Sequence, residues 1–373
     1  MTTIWDGGIM THRMLVYADA SAWFTLGGIT VSAPFVMDGL RFGGSLLLFL
    51  TVHEFGHYFA ARRHGVAVSL PYFIPFLFNG IGTFGAVIRI RQQIPSMTKL
   101  FDIGAAGPLA GFVVALVVLL VGFMTLPGLE YMNGMPDHEA LQAFLQSQGR
   151  FPADVLTDSA VNGNQVLRVG STPLYWFLSQ FFTNVPPMWE MYHYPILFAG
   201  WLGLFFTALN LLPVGQLDGG HILYALVGQK WHRIMARSFV LLLLFSGAVG
   251  FVDQVAPMLI AFDPLLGQLT WVILSTILFL YAFKIFSGNF RWIMPVVFTM
   301  VVSTAFVSRL PSLVSSFGHS GWFLWCLLIM FLIKVDHPPV LHMEPLSRRR
   351  KVLGILSLLI FALCFSFKPL YIG

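Results

Sequence analysis

Residues 46–61 read LLLFLTVHEFGHYFAA, an apolar run that carries two histidines and a glutamate at its centre. On an α-helix His53 and His57 fall one turn apart on the same face, so both imidazoles can reach one metal ion, as in the HExxH pattern. Glu54 stands beside them, placed to take a proton from a water at that metal. Ionisable side chains in hydrocarbon are costly and mark function by default. Whatever fold this chain takes must build a polar site inside an apolar helix.

The rest of the sequence says where that helix lies. Of 373 residues, 57% are hydrophobic and 10% charged, against about 25% charged in soluble domains, and the mean hydropathy is +0.78. A polytopic, all-α membrane protein fits this composition. The net charge of +5 does not indicate nucleic acid, because the basic residues form short clusters between apolar runs. Cys326 and Cys364 both lie in apolar segments and fit no ligand spacing or disulfide framework. The mixed stretch Met1 to Ala20 lacks the apolar core and small-residue cleavage site of a signal peptide.

A span needs roughly 20 apolar residues. About nine such runs occur, at 16–36, 39–63, 101–126, 194–227, 238–257, 268–287, 292–309, 319–334 and 352–371. The fourth is too long for one regular span, and Pro213 with the nearby glycines predicts a broken helix near residue 213. These runs divide the chain into an N-terminal segment with a first span (1–38), a catalytic core (39–230) and C-terminal helices (231–373). Counting from a cytoplasmic N-terminus leaves only Arg41, Arg150, Arg168, Arg309 and Lys368 outside. That bias obeys the positive-inside rule and places HEFGH near the cytoplasmic face. An inner cell membrane is the expected location. Between spans, residues 71–95 are Pro-broken and then alternate with a period near two from Phe84 to Ile94, which predicts a re-entrant element or β-hairpin. Residues 127–192 form the longest polar stretch, an extracytoplasmic loop rich in acids.

Two histidines are an incomplete site, since catalytic zinc takes three protein ligands. Among the apolar segments Asp218 stands out, within Asn210-Leu-Leu-Pro213-Val-Gly215-Gln216-Leu-Asp218-Gly-Gly220. A lone carboxylate there is very costly unless a metal compensates it. His221, three residues on, faces the same way and reads as a packing or hydrogen-bonding residue.

HEFGH together with NLLPVGQLDGG resembles the site-2 protease family of intramembrane zinc metalloproteases, which pairs HExxH with N-x-x-P-x-x-x-L-D-G on another helix. GTFGAVIRIRQQIP, LFDIGAAGPLAGF and DHPPVLHMEPLSRRRKVLG resemble the branch found in bacteria and plastids. The sequence shows none of the PDZ-like modules that some members carry. The resemblance implies one Zn²⁺ per chain on His53, His57 and Asp218, with Glu54 as general base and Asn210 holding the substrate carbonyl or developing oxyanion. It also implies a single-pass transmembrane protein as substrate. A helical substrate must unwind before cleavage, and pairing along Phe84, Gly85, Val87 and Ile88 is one way to hold it extended. A zinc-binding transporter or a non-catalytic client-binding scaffold accounts for membrane histidines as well, but neither needs Glu54 at that position. Gly318-His319-Ser320-Gly321 has the form of a serine-protease motif, yet only His337 and His342 follow it, both in a polar segment. Arg348 to Lys351 reads as an anchor at the cytoplasmic surface.

Overall fold

The computed structural model describes residues 1–75, 81–90, 94–136, 138–152, 167–340 and 342–372. The chain is mostly helical, with three two-stranded antiparallel sheets. In order, the elements begin with α1 (Thr2–Thr11), α2 (Met14–Asp19), β1 (Ala22–Leu26), β2 (Ile29–Ser32), α3 (Ala33–Arg63), β3 (Tyr72–Pro75), β4 (Thr83–Val87) and α4 (Met97–Met124). Next come α5 (Glu139–Gln148), β5 (Leu167–Val169), α6 (Pro173–Ser179), α7 (Pro195–Asn210) and α8 (Asp218–Gly250). The C-terminal part is α9 (Ala256–Phe262), α10 (Pro264–Gln268), α11 (Thr270–Ile285), α12 (Phe290–Val307), α13 (Pro311–Phe317), α14 (Gly321–Leu328), α15 (Arg348–Cys364) and β6 (Leu370–Ile372).

Four helices among the described residues are long and apolar enough to cross a membrane: Ala33–Arg63, Met97–Met124, Asp218–Phe262 and Phe290–Val307. Pro195–Asn210, Thr270–Ile285 and Gly321–Phe331 are apolar but shorter. The expected count of nine spans is not confirmed among the described residues, and three small sheets stand beside the helices of the expected all-α class. The run at 16–36 is not a helix; β1 and β2 pair as a hairpin, with Leu26 opposite Ile29. Gly27 and Gly28 take φ of +58° and +82°, which favours glycine and gives the tight turn that suits twisted strands. The segment AWFTLGGITVS is as apolar as a span but built of β-formers around that turn. With this span gone, alternation no longer puts the N-terminus inside. The predicted break near Pro213 is observed, between the end of α7 at Asn210 and the start of α8 at Asp218. Arg91, one of the basic residues counted inside, and Asp137, Asp154 and Asp158, acids of the 127–192 stretch, lie outside the described residues.

The buried residues of α3 include Phe42, Leu46, Phe49, Leu50, His53, Glu54, His57 and Ala61. Those steps of three and four trace one stripe, turned towards α1, α4 and α7. On α4 the exposed Val113, Val117, Val121 and Met124 form an equally apolar stripe on the opposite side. A helix apolar inside and out belongs in lipid. α1 packs antiparallel along the first half of α3, where Gly39 and Gly43 lie against Ile4 and Thr3, and Gly7 against Phe42.

Each end of this bundle has a polar clamp. At the start of α3 the buried Asp38 accepts hydrogen bonds from Arg13 (3.2 Å), Arg41 (3.1 Å) and the Tyr17 hydroxyl (3.1 Å). At the other rim Arg350 donates two 2.8 Å bonds to Asp102, whose second oxygen lies 2.8 Å from His64 Nε2. Arg350 therefore ties α15 to α4, a packing role beyond that of a surface anchor. Arg62, Arg63, Lys99 and the Arg348–Lys351 cluster share this rim.

Candidate active site

The site forms where α3, the start of α8 and the β3–β4 hairpin meet. His53 and His57 come from the inner stripe of α3, about two turns before its C-terminal end. Asp218 is the first residue of α8, delivered by the break after α7. Gly215 makes that break possible: its φ is +57°, and a Cβ there would overlap the Lys334 carbonyl.

His57 Nε2 lies 3.1 Å from His53 Nε2 and 3.2 Å from Asp218 Oδ2, and His53 Nε2 lies 3.6 Å from the same oxygen. Tetrahedral zinc with bonds of about 2.0–2.1 Å requires donor atoms about 3.3 Å apart. The three residues therefore fit the ion that the sequence implies. Orientation agrees with distance. His57 Nδ1 lies 2.7 Å from the Ile103 carbonyl, which can only accept, so Nδ1 carries the proton and Nε2 keeps its lone pair for a metal. His221 also lines the adjoining cavity, but its Nδ1 lies 2.8 Å from His337 Nε2 and it is not in the converging group.

A cavity of about 310 Å³ opens beside the three residues. Glu54, 7% exposed, lines it, with Asn210 and Gln216 opposite. Asn210 closes α7 and its Nδ2 lies 3.5 Å from His53 Nε2. The hairpin pairs Tyr72 with Val87 and Ile74 with Gly85, and a further bridge joins Val68 to Ile90. Phe84 and Gly85 belong to β4, and the following Ala86, Val87 and Ile88 line the cavity. The hairpin climbs alongside α3: the Thr2 hydroxyl, on α1, donates a 2.6 Å bond to the Gly82 carbonyl. Of the two forms expected over 71–95, a re-entrant element or a β-hairpin, the structure shows the hairpin; residues 76–80 and 91–93 lie outside the described residues.

Sequence reasoning missed the wall behind the histidines. Gly104, Gly107 and Gly111 run down one face of α4. A Cβ on Gly107 would overlap the His57 ring, one on Gly111 would sit 3.0 Å from His53 Nδ1, and one on Gly104 would press on His221. Gly56 answers them from α3, where a Cβ would come 2.6 Å from the Ala106 carbonyl. The two helices approach closely because side chains are missing on both. The only signal was the small-residue spacing in GAAGPLAG. Ser320 of the serine-protease-like motif bonds Gln254 through its hydroxyl (2.7 Å), and His337 is engaged with His221.

Comparison with known proteins agrees with this geometry. Residues 42–252 match the sequence profile of peptidase family M50. The protein named "Probable zinc metalloprotease EGY2, chloroplastic" from Oryza sativa subsp. indica is 33% identical over 180 residues, 48% of this chain and 28% of that protein. "Probable zinc metalloprotease EGY1, chloroplastic" from Arabidopsis thaliana is 32% identical over 200 residues, 53% of this chain and 31% of that protein. "Probable zinc metallopeptidase EGY3, chloroplastic" from the same plant is 29% identical over 218 residues, 57% and 34% of the two chains. The chain thus spans about a third of the length of these curated relatives. No solved structure matches. With more than half of the chain inside the family match, and HEFGH and NLLPVGQLDGG both within it, the chain belongs to peptidase family M50, the site-2 proteases.

Proposed function

We propose that this protein is an intramembrane zinc metalloprotease that cleaves the membrane-spanning segment of a single-pass protein. The observation that carries this reading is the meeting of His53, His57 and Asp218, from two helices far apart in sequence, at tetrahedral spacing inside a membrane bundle and beside Glu54. Zinc held by these three side chains supplies Lewis-acid polarisation of the water and the scissile carbonyl. Glu54 accepts the proton of the attacking water and returns it to the leaving amine. Asn210, on the cavity wall, donates its amide hydrogens to the developing oxyanion. The apolar β4 wall keeps bulk water from the reacting bond. By charge, the rim carrying Arg62, Arg63 and Arg348 to Lys351 is the cytoplasmic or equivalent face, with the site nearer to it.

The test is cleavage of a reporter with one spanning helix, co-reconstituted with the enzyme in liposomes. Cleavage is expected to stop on removal of zinc by a chelator and to return on its readdition. Cleavage that persists without zinc excludes the reading.

Substrate presentation follows from the hairpin. β4 is paired on one side by β3, while residues 86–88 face the cavity. The Arg89 amide donates back to Ser69 Oγ (2.9 Å) on the β3 side, so by alternation the Ile88 amide points to the cavity side, where it donates to the Glu54 carboxyl. An extended substrate strand can pair there by β-augmentation. Ile88→Pro removes a donor that Glu54 now holds and that a substrate strand would share, and one or two lost main-chain bonds of ~1 kcal/mol each correspond to about tenfold slower cleavage. Val87→Pro tests the adjoining backbone position. Unimpaired cleavage of a membrane reporter by both variants would overturn the pairing.

A further inference from the structure

The second convergence of metal-binding groups lies at the opposite end of the bundle. His138 precedes α5, while Glu190 and His193 flank the 3-10 turn Met191–His193 that leads into α7. His138 Nε2 lies 3.2 Å and His193 Nε2 3.3 Å from the same oxygen, Glu190 Oε2. All three donor atoms lie within 4.8 Å of one another.

Both rings are turned by a backbone carbonyl. His138 Nδ1 donates to Pro136 O (2.6 Å) and His193 Nδ1 to Thr11 O (2.9 Å). A carbonyl only accepts, so each Nδ1 carries a proton; His138 hydrogen-bonds the carboxylate through Nε2, while the neutral form of the fully buried His193 points its Nε2 lone pair at the same oxygen. Lone pairs facing an anion repel it. Consistent with this, the buried His193 Nε2 has no hydrogen-bond partner among the described atoms, although it lies 3.3 Å from Glu190 Oε2. Glu190 is 3% exposed and His193 fully buried, so bulk solvent does not reach the mismatch. A divalent cation between the three atoms relieves it, and backbone-held Nδ1–H groups are the usual second shell of metal-binding histidines.

We infer that His138, Glu190 and His193 form a second metal site, for a zinc-class transition ion, distinct from the proteolytic centre. Two imidazoles and one carboxylate select zinc or its transition-metal neighbours over calcium or magnesium. The site is structural. It joins the end of α1 through Thr11, the 127–138 loop through His138 and the base of α7 through His193. The Tyr131 hydroxyl closes the shell on the His193 carbonyl at 2.9 Å. α7 separates it from Asn210 by 16 residues, roughly 24 Å of helix, so it acts on the placement of α7 and not on the reacting atoms.

The experiment is metal analysis of the full-length protein in detergent, loaded with zinc or cobalt, in an Asp218→Ala/His57→Ala background. About one metal per chain is expected to remain, with the intense visible bands of tetrahedral cobalt. Adding Glu190→Gln or His138→Ala is expected to remove it. His138 is only half-buried, so its variant reports even if Glu190→Gln fails to fold. Absence of bound metal in the folded background protein overturns the site and leaves an ion pair to a protonated His138. Metal that survives both added substitutions overturns it equally. Comparing His138→Ala with the wild type gives the same answer if the proteolytic site itself is misassigned.

Discussion

Glu54→Gln is expected to abolish measurable cleavage of a membrane substrate while leaving zinc in place. A positioned general base contributes about 10²- to 10⁴-fold, equivalent to about 3–5 kcal/mol of transition-state stabilisation. Glu54 is placed for that role and for no ligand role: the converging donor atoms belong to His53, His57 and Asp218, and the Glu54 side chain lines the adjoining cavity. Gln keeps the shape and a carbonyl acceptor but cannot take a proton. A reconstituted reporter assay beside zinc analysis separates the possibilities. Lost cleavage with retained zinc is the expected result. Retained cleavage would remove Glu54 from the chemistry, and loss of zinc would make it a ligand.

The second large effect arises from a residue with no functional group. Gly107→Ala is expected to weaken zinc binding by about 10- to 100-fold, the range for disturbing a ligand's supporting contacts. The new Cβ would occupy the space of the His57 ring and force it off the Ile103 carbonyl. Gly44→Ala is the control, because a Cβ there meets nothing within 4 Å. Both changes add the same helix propensity, so propensity does not account for a difference between them, and retained helical content in both variants separates zinc loss from unfolding. Equal zinc affinity in the two variants would show that the α4 wall does not position His57.

The contrast between Glu54 and Gly107 shows what the sequence made legible. His53, Glu54, His57 and Asp218 could be named because an ionisable group inside an apolar helix is too costly to persist without a role in function. The break before Asp218 was equally legible, since Pro213 and Gly215 lie together where the helical run is too long for one span. Gly104, Gly107 and Gly111 were not, because small residues are common in membrane helices and only the partner's position gives them meaning. The hairpin at 22–32 was hidden by composition: hydropathy counts apolar residues and ignores that Thr25, Ile29, Thr30 and Val31 favour strands around Gly27-Gly28. Non-local pairing was invisible for a different reason. β5 joins β6 from the far end of the chain, with Arg168 opposite Tyr371, and no local pattern encodes such a partner. His138, Glu190 and His193 likewise share no spacing that marks a ligand set.

Zinc content of the purified protein, wild type beside His57→Ala and Asp218→Ala, tests the central claim most directly, because it requires no known substrate. Each variant is expected to hold one zinc fewer per chain than the wild type while keeping its helical content. Unchanged zinc in both folded variants would contradict the site built from α3 and α8, and with it the proteolytic reading.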